Sequence, residues 1–367
     1  YIHELADWPH FRWDEKHLVG QLASVRHRQG RMLGRLESLG IKLREEASLR
    51  TLTEETVKSS EIEGDILDRE QVRSSLARRL GIDIGALKPE DRHTEGVVSM
   101  ILDARQNYSA PLTIERLFSW HAALFPTGYS DMHKITVGKW RTDASGPMRV
   151  VSGAIGHERI HFEAPAAERV DKEMQAFLAW FNSGQSDVDP VLCAAIAHLW
   201  FVTIHPFEDG NGRIARAIAD MMLARSEKSA LPVYSMSAQI RKERGKYYDH
   251  LEDTQKGNLD ISEHLAWFLE CMDRALDGAE IILADVLRKA RFWARHAEEP
   301  FNERQRSILN RLLDGIEGKL TSSKWAKMAK CSQDTAGRDI DDLVKRNILK
   351  KEAAGGRSTN YALIVVF

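Results

Sequence analysis

An apolar run at 191–204, a loop reading HPFEDGNG at 205–212 and a second helical pattern from 213 constrain this chain most. A helix running into a glycine-rich loop and out into another helix presents unpaired backbone N–H groups to that loop. The dipole of the second helix adds partial positive charge there. Such a helix start is a ready site for anions. Gly210 and Gly212 allow a ligand or neighbour to approach the backbone closely. Asp209 is a hard oxygen ligand of the kind Mg2+ takes beside phosphates. Arg213 and Arg216 are planar donors three apart, hence neighbours on one helix. His205 titrates near neutrality and can take a proton from a hydroxyl. Pro206 stiffens the loop entrance, and Phe207, apolar in a polar run, is expected to anchor it. Singly, each residue has an ordinary explanation as a cap, a core group or a solvated arginine. Together they describe a site for phosphoryl chemistry.

The 367 residues suggest two or three domains. Hydrophobic content of 43%, charged content of 29% and a net charge of −2 fit a globular chain that is not basic throughout. Cys193, Cys271 and Cys331 show no CxxC spacing, which excludes a zinc or disulfide framework and fits a reducing compartment. The run at 191–204 is interrupted by His198 and is too short to span a bilayer. No charged start followed by an apolar run opens the chain, so a cytoplasmic location is the expectation.

Helical periodicity covers most of the chain: 13–43, 66–81, 90–107, 113–124, 165–183, 190–204, 213–226, 242–256 and 260–276. Thr51 followed by Glu54 predicts a capped helix start, with Gly64 as the C′ residue that ends the helix. The glycine-rich stretch 128–163 alternates at Arg159, Ile160, His161 and Phe162, which predicts a short hairpin. HAEEPFN breaks the helical pattern near 296–302. Beyond it come helices at 302–314, 321–329 and 332–346, strand material at 348–351, a GGRST turn and NYALIVV. Three helices and a β-wing follow the winged helix–turn–helix plan. The expected fold is mostly α. Its divisions are a helical region over 1–108 that includes a helix at 54–64, a core over 109–297, and the winged unit over 298–367.

HPFEDGNGRIAR at 205–216 resembles the signature of the Fic family, HPFx(D/E)GNGRxxR, at every defined position. The resemblance implies a helical core that transfers AMP from ATP to a Ser, Thr or Tyr hydroxyl of a protein, releasing pyrophosphate. It makes His205 the catalytic base and Asp209 the Mg2+ ligand. The implied ATP-binding set is Phe207, Glu208, Gly210, Asn211, Gly212, Arg213 and Arg216, with Tyr248 and Gln255 lining the adenine pocket. Arg213 would hold the β-phosphate region and Arg216 the γ-phosphate. SSEIEG at 59–64 matches the family's inhibitory pattern. Ser59 and Glu63, four apart, share a helix face; alone they describe a helix end finished by Gly64. The resemblance pairs Glu63 with Arg216, making Ser59, Glu63 and Gly64 an inhibitory element. A carboxylate on Arg216 would occupy the donor a γ-phosphate uses and misalign the α-phosphate. Removal of AMP, the reverse activity, is a further option in such proteins.

His157, Glu158 and His161 spell HExxH, but zinc chemistry needs a helix there. Gly153, Gly156 and Pro165 leave little room for one, and alternation favours a strand. In the Fic frame Arg159, Ile160, His161 and Phe162 form a flap that holds the target by strand addition, with GKWR at 138–141 leading into it. The N-terminal HELADWPHFRWDEKHL resembles a domain often found ahead of Fic cores, its aromatics expected to pack on the core. Residues 302–367 hold thirteen Lys/Arg and eight Asp/Glu, net +5, leaving −7 elsewhere. Contact with DNA through 298–367 is therefore an option, with Ser332, Thr335, Arg338 and Lys345 on the recognition helix and Arg357 at the wing tip. Asp334, Asp339, Asp341 and Asp342 dilute that charge, and winged units also dock proteins or dimerise. The rival reading is a DNA-binding regulator whose core senses nucleotide or modifies itself; a homodimer is a family-based expectation.

Overall fold

The computed structural model describes residues 1–85, 87–130, 132–144, 146–153, 157, 159–184, 187–316, 318–352 and 359–364. The chain divides into two compact units, Tyr1–Glu280 and Ile281–Phe367. The helices of the first are α1 (Glu15–Glu37), α2 (Ile41–Ile62), α3 (Arg69–Leu80), α4 (Arg92–Gln106), α5 (Ile114–Leu124), α6 (Ala167–Asn182), α7 (Pro190–Ile204), α8 (Asn211–Glu227), α9 (Met236–Lys242) and α10 (Arg244–Lys256). A long helix, α11 (Ser262–Arg295), carries the division between the units within it. Between α5 and α6 lie two antiparallel hairpins, β1 (Tyr129–Ser130) with β2 (His133–Lys134) and β3 (Arg149–Ser152) with β4 (Arg159–Glu163).

The mostly helical expectation holds, and α7 is its axis. Asp189 caps the helix by accepting the Val191 N–H, and Pro190 stands at the start, where its missing N–H costs nothing. Every residue from Val191 to Ile204 is buried, so the helix is apolar all round and is sheathed by others. It stops at His205, whose φ of 52° is left-handed. The chain turns back through the loop into α8, which starts after Gly210 with φ of 79°. Arg105 of α4 ties α8 from behind, donating to Asp220 at 2.8 Å and Glu227 at 3.0 Å. Trp8 and Phe11 stack edgewise on Trp200 at 6.2 and 5.9 Å, so the N-terminal aromatics do pack on this core.

Three expectations need correction. The helix predicted to start at Thr51 belongs to a continuous α2 that starts at Ile41. The Thr51 hydroxyl donates to the Ala47 carbonyl, as Thr53 does to Leu49 and Thr56 to Leu52, so threonine acts inside the helix rather than as its cap. The helix predicted at 242–256 is α10, which starts at Arg244, and the short α9 that precedes it across Glu243 was not marked by any pattern. The pattern at 260–276 continues to Arg295.

In the second unit α12 (Glu303–Leu313), α13 (Ser322–Ala329) and α14 (Gln333–Lys345) precede β5 (Leu349–Lys351) and β6 (Tyr361–Leu363), which pair antiparallel. Leu320 bridges to Tyr361 and widens this small sheet. Ile308, Leu309, Trp325, Ile340, Leu343 and Ile348 form its core. Asp339 is ion-paired with Arg304 and Asp342 with Arg346. Arg357 lies outside the described residues.

Candidate active site

The loop between α7 and α8 is built on Phe207 and Asn211. Phe207 is fully buried and stacks on His121 with ring centres 4.2 Å apart. The Asn211 side chain accepts the Phe207 N–H at 2.9 Å and donates to the Phe207 carbonyl at 2.8 Å. Both amide atoms thus close the loop, leaving backbone N–H groups as what Asn211 and its neighbours offer a ligand. Two glycines of the loop have close side-chain neighbours. A Cβ at Gly210 would stand 2.9 Å from the Phe125 ring, and one at Gly212 only 2.1 Å from Glu63 Oε1.

His205 sits at the loop entrance. Its Nδ1 faces the Val202 carbonyl at 3.2 Å, which places the ring hydrogen there and leaves Nε2 as the basic atom. Burial pulls its pKa down to about 4, against the Val202 contact and with help from the Arg141 charge. Arg141 itself is 3% exposed; its Nε donates to the His205 carbonyl at 2.7 Å and its Nη2 to the Pro165 carbonyl. Its backbone N–H also meets the Pro206 carbonyl at 2.9 Å. One buried guanidinium therefore joins the 205–210 loop to the root of the β3–β4 hairpin, and burial lowers its pKa.

Asp209 accepts from the Ser130 hydroxyl and from the Gly210 N–H. Glu208 accepts the Thr136 N–H at 3.0 Å. Gln255 is buried and donates to Thr203 Oγ1 at 3.2 Å.

Arg213 and Arg216 of α8 meet the end of α2 and the turn that follows it. Arg216 Nη1 donates to Glu63 Oε1 at 2.7 Å, its Nε to the Ser59 hydroxyl at 3.0 Å and its Nη2 to the Ser59 carbonyl at 2.7 Å. Burial alone would lower this guanidinium; the Glu63 charge outweighs it and raises the pKa. Tyr248 stands with its hydroxyl 3.1 Å from Glu63 Oε2 and 3.2 Å from the Ile62 carbonyl. Gly64, at φ of 90°, turns the chain sharply after Glu63. The next residue, Asp65, takes Arg213 Nη1 at 3.0 Å and His93 Nε2 at 2.7 Å. Glu55, two turns earlier, binds Ser235 and Ser237 at the start of α9, so α2 is seated deep in the unit.

The structure thus brings Ser59, Glu63 and Arg216 into contact, with Gly64 turning the chain after them and Tyr248 beside Glu63. Sequence reasoning missed Asp65, although that residue directly follows the motif, and His93, Ser130 and His121, which no pattern marks. Arg141 was noted only as part of GKWR. Arg159–Phe162 lie in β4, so the predicted hairpin strand is there, and His161 pairs with Glu252. A strand there lacks the helical spacing that HExxH chemistry requires; Glu158 lies outside the described residues. Among the described residues no helix is long and apolar enough to cross a membrane.

Residues 111–223 match the Fic/DOC family model, and residues 1–82 match a domain of unknown function, DUF4172. The protein adenylyltransferase Fic of Aedes aegypti is 29% identical over 218 residues, which is 59% of this chain and 39% of that protein. This chain therefore matches well under half the length of that relative. Among solved structures, a Fic family protein from Desulfovibrio desulfuricans G20 superposes with a TM-score of 0.52 over 95% of either chain at 22% identity. A Fic domain containing signaling protein from Bacteroides thetaiotaomicron VPI-5482 does so with a TM-score of 0.53 at 23% identity, over 71% of this chain and 96% of that one. Those two likenesses concern the fold. The chain carries a Fic domain at 111–223, preceded in sequence by a DUF4172 segment.

Proposed function

We propose that the chain is a protein adenylyltransferase that moves AMP from ATP to a Ser, Thr or Tyr hydroxyl and is held inactive by Glu63. The observation that carries the reading is the seat of the Glu63 carboxylate. It lies against Gly212, at the start of α8, and on Arg216, where an anion is expected at a helix N-terminus. The carboxylate stands in for phosphate oxygens, so nucleotide must compete with it.

With the seat vacated, the chemistry follows from the loop. His205 Nε2 takes the proton of the target hydroxyl; the oxygen forms a bond to the α-phosphorus of ATP while the bond to the β-phosphate oxygen breaks and pyrophosphate leaves. The neutral imidazole, with a pKa near 4, is free to accept that proton at pH 7. First-turn amides of α8 and the two arginines hold the phosphate charge. The Nε of Arg213 is buried without a hydrogen-bond partner among the described residues, a donor suited to a phosphate oxygen. Asp209 is the residue that would hold Mg2+, whose chemistry is to neutralise the triphosphate oxygens; a single carboxylate with phosphates and water suits that ion. Tyr248 and Gln255 would border the nucleotide base, and Arg159–Phe162 would present the target strand. The chain's own hydroxyls are candidate acceptors, and removal of AMP would reuse the same groups in reverse. The test is incorporation of label from α-labelled ATP by the unaltered chain and by Glu63→Gly.

A second reading, contact with nucleic acid through residues 298–367, is favoured by the winged arrangement of α12–α14 and β5–β6 with Lys327, Lys330, Arg338, Lys345 and Lys350 exposed. It is compatible with AMP transfer by the first unit.

A further inference from the structure

The hairpin of β3 and β4 is fixed at two places. At its root Phe162 is buried, edge-on to Tyr1 and His3 with ring centres 5.1 and 5.7 Å away, and His3 Nε2 meets the Glu163 carbonyl at 2.9 Å. Toward its tip, among the described residues, a carboxylate on α10 holds it. Glu252 Oε1 accepts from Arg159 Nη2 at 2.9 Å and from Lys256 Nζ at 2.6 Å, while Oε2 faces His161 Nδ1. His161 Nε2 in turn lies 2.6 Å from the Ser152 hydroxyl, so the bond reaches across to β3.

Strand geometry gives this arrangement a consequence. Arg159 and His161 both reach Glu252 and so lie on one side of β4, across the register shift between Val150 and Val151. Glu252 draws that side down to α10. The cross-strand pair Val151 and Ile160 remains exposed, at 48% and 41%. A target segment added along the hairpin meets whichever face and register the hairpin offers, and a slip of one residue would exchange the faces. With Lys256, then His161 and Arg159 bound to it, Glu252 has its pKa pulled down to about 2 and is charged throughout the physiological range.

We infer that Glu252 is a positioning residue for the flap, acting through Arg159 and His161 to set which face of the β3–β4 hairpin a target meets. What the flap presents rests on the AMP-transfer reading; that Glu252 holds it does not. The first test is therefore independent of activity. In the full chain, Glu252→Gln keeps the side-chain shape and removes the charge. Hydrogen exchange read by mass spectrometry is expected to quicken about tenfold in peptides covering 149–163, with α7 and α8 unchanged, because a charge-assisted clasp opens locally. Unchanged flap exchange overturns the inference. Equal quickening in the flap and in α7 and α8 also overturns it, since that is a general loss of stability. The second test uses Glu63→Gly with α-labelled ATP. Adding Glu252→Gln is expected to lower the rate of self-modification at saturating ATP about tenfold while KM for ATP stays within about twofold. A KM for ATP that rises in step contradicts the positioning role. If Glu63→Gly alone incorporates no AMP, the AMP-transfer reading fails and the exchange result decides the clasp by itself.

Discussion

Glu63 and Arg216, 153 residues apart in sequence, meet at 2.7 Å with the guanidinium buried and the carboxylate partly open to solvent. The asymmetry matters. Arg216 is fastened by Ser59 as well, through Oγ and the backbone carbonyl, so it stays in place when Glu63 leaves. Glu63, the C-cap residue between α2 and a left-handed glycine, can swing out without moving α2, which Glu55 pins to α9. The brake on this account is one side chain.

Replacing His205 with Ala should lower AMP transfer by the Glu63→Gly form at least about a hundredfold, the usual contribution of a positioned general base. The pH profile is the sharper check. A base whose pKa is held near 4 accepts a proton at any pH above that value, so the acid limb of kcat/KM should fall below about pH 5 rather than near 6.5. An acid limb centred near 6.5 would assign the proton transfer to a different group.

Asp65 should matter for stability in a bounded pH window. The hydrogen bond to Asp65 raises the His93 pKa, against burial; burial opposes the lowering of Asp65, but His93 and then Arg213 outweigh it. The His93 part is present below its ordinary pKa and lost as pH rises through the raised one. The Asp65 part is present above its ordinary pKa and lost as pH falls through the lowered one. Asp65→Asn should therefore lower the unfolding free energy most near pH 5–6 and less above pH 8, by no more than about 1 kcal/mol because both groups reach solvent. A deficit that grows above pH 8 would contradict the pairing.

Arg141→Met keeps the apolar stem and deletes the donors to the His205 and Pro165 carbonyls. Buried carbonyls left without partners should cost about 1–3 kcal/mol in denaturant unfolding. Peptides over both the 205–210 loop and the hairpin root should lose hydrogen-exchange protection together; loss in one alone would deny that this residue joins them.

For the second unit, full-length protein should bind duplex DNA with an affinity that falls as salt rises, and Arg338→Glu should weaken it. Affinity no higher than that of an unrelated acidic protein removes the nucleic-acid reading.

The parts legible in the sequence were those where one short segment holds the whole device. HPFEDGNGRIAR marks a helix end, a loop and a helix start in succession, so α7, the loop and α8 could be placed to within about two residues. Thr51 misled because the same hydroxyl that caps a helix also back-bonds inside one, and only the burial of α2 decides between them. Gly212 could be read as permitting close approach, yet what approaches it, the Glu63 carboxylate, comes from 149 positions away in the numbering. Asp65 with Arg213, Arg141 with His205, and Glu252 with His161 are partnerships of distant residues with no periodic trace. Their types are ordinary surface types, and only the fold brings them together.

The most direct test of the account compares AMP incorporation from α-labelled ATP in the unaltered chain, Glu63→Gly and Glu63→Gly with His205→Ala. The account predicts at least about tenfold more label in the single variant, matching the loss of a charge-assisted contact worth about 1.4 kcal/mol or more, and none above background in the double variant. Equal labelling of the unaltered chain and Glu63→Gly would contradict it.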